Sequence, residues 1–211
     1  MINLDKVRQY RWNIFKLILK KIGTFLGLRI ETYFLMKYEL NKFDIESKIA
    51  SFDYSDVQEF YLVDLQDSPL FDLHKKNIFK ERFALKTYSC YGIKNKDEIC
   101  YITWISWKKM NYPNTFQITE RLESNEALLL DSTCNPKYRG LGYHSKMNVF
   151  RLNTMLKNNI KTAVALVEGI NTPALNVQIK SGFKITHKLS SLSFFRMHKL
   201  IKTKINAKCK K

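Results

Sequence analysis

Residues 134–145 combine a glycine-containing turn with a fixed positive charge. An apolar run at 127–130 precedes this segment, and apolar residues at helical spacing follow it. A turn between a strand and a helix directs free backbone N–H groups at an anion. Arg139 adds its charge, and Gly140 and Gly142 allow close approach to the backbone. The spacing therefore predicts a site for a pyrophosphate.

The elements that position this turn follow from hydrophobic periodicity and turn residues. The pattern predicts seven strands, at residues 59–64, 87–93, 99–107, 127–130, 161–167, 183–189 and 192–198. The second and third strands form an antiparallel hairpin, and the last two are joined by a turn at 190–191. Helices are predicted from Ser68-Pro69, after residue 145, and from Thr172 as the N-cap residue. Residues 108–124 read as a long surface loop.

The N-terminal 50 residues predict a basic helical extension. Residues 4–28 place apolar side chains at i, i+3, i+4 and i+7 between lysines and arginines, and 31–41 read as a second helical segment. The first helix can lie at the inner face of an anionic membrane or pack its apolar stripe on the domain. A folded domain at 51–200 and a basic tail at 201–211 complete the predicted organisation.

Two motifs make the chain resemble the GCN5-related N-acetyltransferase (GNAT) superfamily. The acyl-CoA motif [RQ]-x-x-G-x-[GA] resembles the segment from Arg139 to His144, where His144 replaces the small last residue. Downstream, an N-x-x-A segment beginning at Asn171 is followed by Gly182-Phe183 at the family's distance. The resemblance covers about residues 56–198. It implies an α/β (mixed α+β) fold with a central, twisted, mostly antiparallel sheet and helices on both faces.

The resemblance also implies acetyl-CoA as co-substrate and assigns residues to it. The pyrophosphate would be held by Arg139, Gly140, Leu141, Gly142, Tyr143, His144 and Ser145. The backbone of Ser132 to Cys134 would pair with the pantetheine arm, as a strand edge pairs with a peptide. Asn171 would hydrogen-bond that arm from the other side, and the N–H of Cys134 would meet the oxyanion.

Catalysis of acyl transfer needs a base for the amine and relief of charge on the leaving thiolate. Glu126 and Asp131 are the carboxylates near the strand before the turn, although both residue types are also common at surfaces. The family often places a tyrosine acid seven residues after the asparagine, and here that position is Gln178. Cys134 has no histidine at a spacing typical of a nucleophilic pair, so packing is the favoured role.

The composition limits the classes of partner. Lysine and arginine number 36 against 19 acidic residues, a net charge of +17. Residues 1–29 contain seven basic residues and one acidic residue, and residues 199–211 contain six basic residues and no acidic one, so most of the excess lies at the two ends. Four cysteines without a C-x-x-C pair suggest reduced cytosolic thiols and no metal site, with a Cys90–Cys100 disulfide as the less favoured alternative.

Three functions remain open from the sequence. The leading one is a cytoplasmic N-acetyltransferase acting on a primary amine of a small molecule, with an amino-sugar intermediate of envelope polysaccharides as one candidate. The second is an acetyltransferase associated with RNA or the ribosome, which the absence of an RNA-binding motif disfavours. The third is a CoA-binding module without catalysis.

Overall fold

The computed structural model describes residues 28–112, 119–194 and 197–205. The predicted helix at 4–28 lies almost entirely outside these residues. The described strands are β1 Leu28–Glu39, β2 Val57–Phe60, β3 Tyr88–Asn95, β4 Glu98–Ser106, β5 Lys109–Asn111, β6 Thr119–Arg121, β7 Glu126–Cys134, β8 Thr162–Glu168, β9 Lys184–Phe194 and β10 Met197–Lys204. The helices are α1 Lys42–Ile49, α2 Leu62–Gln66, α3 Leu73–Leu85, α4 Tyr143–Lys157 and α5 Thr172–Lys180.

Eight of the described strands form one sheet in the order β10-β9-β1-β8-β7-β4-β3-β2. β7 and β8 are parallel, and the other neighbouring pairs are antiparallel. The parallel pair follows from the connection through α4, because parallel strands need a long crossover. β5 and β6 form a separate two-stranded sheet within the segment predicted as a loop. The predicted mixed, mostly antiparallel fold is confirmed.

The sheet is covered on both faces, and adjacent residues of β4 show this directly. Trp104 packs with Phe79 of α3 in one core cluster. Ile105, the next residue, belongs to a different cluster with Leu152 of α4. Successive strand residues point to opposite faces, so α3 and α4 lie on opposite sides of the sheet. The predicted placement of helices on both faces is confirmed.

The prediction of a helix at 31–41 is wrong, because this segment belongs to β1. The strand pairs with β8 on one side and β9 on the other. Leu35 and Met36 are both buried and belong to core clusters on opposite faces. A strand covered on both faces lacks the alternation of polar and apolar residues that usually marks a strand. Part of the predicted N-terminal extension thus lies inside the sheet.

Several predicted boundaries differ from the observed ones. α3 begins after Asp72, whose side chain accepts a hydrogen bond from the Lys75 N–H, and not at Ser68-Pro69. Asn171, not Thr172, is the N-cap residue of α5. β9 continues through the predicted turn at 190–191, because Ser190 and Ser191 pair with β10 on one side and β1 on the other.

The cysteines that the structure describes are free thiols. Cys90 pairs across the hairpin with Trp104, and Cys100 lies elsewhere on β4, so the alternative of a Cys90–Cys100 disulfide is not realised. Within the described residues, no helix is both long and apolar enough to cross a bilayer.

Candidate active site

The candidate site opens where β7 and β8 separate. Their parallel register ends at Leu129, opposite Ala165. Beyond that point β7 carries a bulge, because Thr103 of β4 faces Ser132 while Trp104 faces Leu130, which leaves Asp131 as the extra residue. Asp131 has a positive φ of 24°. The end of β7 thus has a free edge on the β8 side, beside a cavity of about 350 Å³.

The turn at the end of β7 is anchored from inside. Asn135 is buried, and its side-chain amide donates to the carbonyl of Ile99 at 3.1 Å and to Glu98 Oε1 at 3.2 Å. A short 3-10 helix at Pro136–Tyr138 follows, and then the exposed residues 139–142. Gly142 is the N-cap residue of α4 at a φ of 78°, without a side-chain cap. The first N–H groups of α4 therefore have no side-chain acceptor from the cap and face outward with the positive end of the helix dipole.

A buried polar cluster lines the same cavity. The Tyr101 hydroxyl is hydrogen-bonded to His144 Nδ1 at 2.7 Å. Burial, together with the charge of Arg151, lowers the pKa of His144 to about 4, so the ring is neutral at pH 7. Burial raises the pKa of Tyr101 and of the Cys134 thiol. A thiol with a raised pKa is a poor nucleophile, in agreement with the packing role predicted for Cys134.

Arg151 and Gln178 also line this cavity and are buried. The guanidinium of Arg151 donates from Nη1 to the Leu130 carbonyl at 3.3 Å and from Nη2 to Asn148 Oδ1 at 3.2 Å. Among the described residues, Arg151 Nε and Gln178 Oε1 are buried without a hydrogen-bond partner. Unpaired buried polar atoms are rare in folded proteins, and these two leave hydrogen-bonding capacity for a polar ligand in this cavity.

A second cavity, of about 440 Å³, lies on the other face of the sheet beside α3. It shares Leu129, Leu130, Asp131 and Leu166 with the first cavity. Asp131 forms ion pairs here with Arg82 at 2.6 Å and with Lys75 at 3.6 Å. Burial alone would raise the pKa of Asp131, but these two positive charges outweigh it and lower the pKa. The two cavities therefore meet at an ionised carboxylate.

Solved structures of other proteins have a similar overall fold. A GNAT-family protein of Novosphingobium aromaticivorans matches with a TM-score of 0.53 over 85% of this chain and 69% of its own, at 11% identity. A GNAT-family acetyltransferase of Colwellia psychrerythraea matches with a TM-score of 0.52 over 79% of this chain and 57% of its own, at 12% identity. This chain has the GNAT fold.

A conserved protein of unknown function from Staphylococcus epidermidis has a TM-score of 0.53 with this GNAT-fold chain, over 90% of this chain and 68% of its own, at 13% identity. No protein-family model matches the sequence, and no curated protein matches it. At these identities the likeness is one of fold, and function has to be argued from the site itself.

The GNAT fold brings together most of the residues predicted for the cofactor. Ser132, Cys134, His144 and Asn171 line the cavity between β7 and β8. Arg139, Gly140, Leu141, Gly142, Tyr143 and Ser145 form the adjoining turn and helix start. The Asn171 side-chain oxygen accepts a hydrogen bond from the Ala174 N–H at 3.2 Å. Its Oδ1 therefore already serves as the cap of α5.

The two predicted catalytic carboxylates lie far apart in the GNAT fold. Asp131 sits at the bulge between the cavities, whereas Glu126 lies at the start of β7 and forms an ion pair with Lys37. Neither cavity is lined by Glu126. Glu168, at the end of β8, lines the cavity between β7 and β8 and was not among the predicted residues.

Arg151 and Tyr101 were also missed by sequence reasoning. The signal for Arg151 was its spacing, because it lies four residues after Met147 and four before Met155, on the stripe that α4 buries. A basic residue on an apolar stripe is expected to serve a specific purpose. Tyr101 had no comparable signal, since buried strands commonly contain tyrosine.

Proposed function

We propose that this protein is an N-acyltransferase that transfers an acetyl group from acetyl-CoA to a primary amine. The observation that carries the proposal is the free edge of β7 beyond Leu129, next to an uncapped helix start at Gly142. An amide-bearing pantetheine arm can pair with such an edge as an added strand does. The helix start with Arg139 then suits the pyrophosphate at the end of that arm.

The unpaired groups in the cavity fit the same ligand. The buried Gln178 Oε1 has no donor within the described part of the chain and can accept from an amide N–H of the arm. A Cβ added at Gly140 or Gly142 would meet no atom within 4 Å, so the space above the turn is open to a ligand. Both observations concern this chain's own residues and favour a CoA-sized thread between β7 and β8.

The acceptor amine would approach through the cavity beside α3. This cavity meets the first one at Leu129, Leu130 and Asp131, so an amine there lies next to the acyl end of the donor. Asp131 stays ionised because Arg82 and Lys75 lower its pKa, so it is suited to orienting an ammonium. The ammonium first releases a proton to solvent. The neutral nitrogen then bonds to the thioester carbon, the carbon–sulfur bond breaks with its electron pair left on sulfur, and the nitrogen loses its second proton to solvent.

The charged residues of the cavity beside α3 favour one chemical class of acceptor. Arg82 and Lys75 beside Asp131 give the cavity both signs, which suits an amine that also carries an anionic group. A nucleotide-linked amino sugar has an amine and a diphosphate, and it is the acceptor we favour. Amino acids, which carry an amine and an anionic carboxylate, are the alternative.

Two measurements in sequence test the function. Acetyl-CoA at about 100 times its dissociation constant should stabilise the protein by about 2.7 kcal/mol in a thermal unfolding assay. Thiol release is then measured with nucleotide-linked amino sugars, amino acids, polyamines and tRNA. The absence of stabilisation would refute the CoA site. Stabilisation without thiol release for every amine would leave a CoA-binding module, and release with tRNA alone would favour the RNA-associated function.

Two matched variants test the acceptor side. Asp131→Asn should retain acetyl-CoA binding and lower kcat/KM for transfer by about tenfold or more, because it removes the orienting charge. Glu126→Gln, on the same strand but in neither cavity, should leave kcat/KM nearly unchanged once folding is verified. The reverse order of effects would contradict the placement of the acceptor at Asp131.

A further inference from the structure

Arg151 is a buried cation without a counter-ion in the described part of the chain. It is 1% exposed, and none of the ion pairs that the described residues form includes it. A guanidinium has five N–H groups. Two of them donate to the Leu130 carbonyl and to Asn148 Oδ1, and Nε has no partner. Both acceptors are neutral, so the charge itself is not compensated.

In the described part of the chain, no group beside Arg151 neutralises its charge. Burial lowers its pKa to about 10, which still keeps the guanidinium charged at neutral pH. His144 is neutral there, and Gln178 and Tyr101 carry no charge. Glu168 is the other carboxylate besides Asp131 that lines this cavity, and neither forms an ion pair with Arg151. Burial of an uncompensated charge destabilises a fold, so its presence beside a cavity indicates an anionic ligand.

Two independent paths place Arg151 at the end of the cavity away from the turn. Along α4, Arg151 lies eight residues after Tyr143, about 12 Å at the helical rise. Along β7, Leu130, whose carbonyl it contacts, lies four residues before Cys134, about 13 Å at the strand rise. A ligand with its pyrophosphate at the turn would therefore present its sulfur and acyl group to Arg151.

We propose that the Arg151 guanidinium binds a single negative charge at the acyl end of the CoA ligand. The inference rests on the proposed CoA site. Two groups can supply the charge: the thiolate left after transfer, or a carboxylate at the end of a dicarboxylic acyl chain. The thiolate source would also explain why Gln178, which is no acid, occupies the position of the family's tyrosine.

The experiment compares four ligands by titration calorimetry at pH 8 with the full chain: CoA, desulfo-CoA, acetyl-CoA and succinyl-CoA. If the thiolate is bound, CoA should bind about 10- to 100-fold more tightly than desulfo-CoA. If a carboxylate is bound, succinyl-CoA should exceed acetyl-CoA by a similar factor. Arg151→Met should abolish the preference, and Arg151→Lys should restore part of it. Lys157→Met, on the exposed side of α4, controls for the lost charge.

A measurement on the wild type tests the inference even if the Arg151 variants fail to fold. The ultraviolet absorbance of the CoA thiolate, titrated against pH, should show a lower thiol pKa for bound CoA than for free CoA if the thiolate is the ligand. Equal affinities of all four ligands, with an unchanged thiol pKa, would overturn the inference and leave the CoA site intact. Failure of all four to bind would instead refute the proposed function. A preference that survives in Arg151→Met would also overturn the inference.

Discussion

His144 departs from the family motif without covering the proposed anion site. The motif has a small residue at this position, and a histidine there adds a ring next to the turn. The structure directs that ring inward, to a hydrogen bond with Tyr101, and not over the exposed glycines. The exposed turn at 139–142 thus remains open, and the ring becomes part of the cavity wall.

The buried neutral ring predicts a loss of stability in acid. The pKa of His144 is about 4 when folded and about 6.5 when unfolded, so the unfolded chain binds the proton more tightly. The contribution of the neutral His144 ring to the free energy of unfolding is fully present above pH 6.5 and is lost as the pH falls toward 4. Between pH 7 and pH 5 the loss should be about 2 kcal/mol.

Urea unfolding of the wild type and His144→Gln at the two pH values measures this loss. The variant keeps a polar group beside Tyr101 but cannot titrate, so its stability should fall less over the same interval. An identical fall in both proteins would contradict the assigned pKa.

Roles that depend on backbone conformation could be predicted from the sequence. Gly142 could be predicted as a turn glycine because a positive φ at a helix start favours glycine, and it has a φ of 78°. Arg151 could not be assigned a role in the same way. Its importance depends on which face of α4 it occupies and on the absence of a counter-ion, and both are known only from the packing.

At the scale of elements, β1 shows the limit of periodicity. Its Tyr33, Phe34, Leu35 and Met36 form a continuous apolar run, which fits a buried strand and a buried helix equally well. The segment forms a strand because it pairs with β8 and β9 and both of its faces are covered. The bulge in β7 could not be predicted from the sequence either, since the positive φ of Asp131 depends on the register between β7 and β4.

The position of β1 predicts which substitutions destabilise the fold. Leu35→Ala and Met36→Ala remove side chains from clusters on opposite faces, so each should lower the free energy of unfolding by about 2–5 kcal/mol. Phe43→Ala is a matched control, because Phe43 is 84% exposed and should change stability by less than about 0.5 kcal/mol. Denaturant unfolding at equilibrium provides the comparison. A small effect at either Leu35 or Met36 would contradict a strand buried on both faces.

At the scale of the whole molecule, the fold was predictable from motifs that are far apart in sequence. The acyl-CoA motif and the Asn171 to Phe183 segment share one site because β7 and β8 are neighbours. Neither motif alone specified the order of the strands. The acceptor side was less predictable, since Arg82 of α3 and Asp131 of β7 are 49 residues apart and meet only in the folded sheet.

We propose that the basic N-terminal segment contacts an anionic membrane, the alternative being that it packs its apolar stripe on the domain. Because β1 begins at Leu28, a deletion that spares the sheet should end at residue 27. In flotation with vesicles that contain anionic lipid, the full chain should float and the deletion variant should not. Deletion of 206–211, which is also basic, is the matched control. Equal flotation of the full chain and the N-terminal deletion would contradict this role.

In the proposed complex, CoA lies along the free edge of β7, from the turn at 139–145 to Arg151. The most direct measurement is the change in backbone amide chemical shifts when acetyl-CoA is added to isotope-labelled protein. We expect saturable changes that are largest at residues 131–134 and 140–145. We expect little change at Asp64, Asp67 and Asp97, which line a third cavity, of about 530 Å³, that also includes Asn135 of the turn. Changes confined to those three aspartates, or no changes at all, would contradict this placement of CoA.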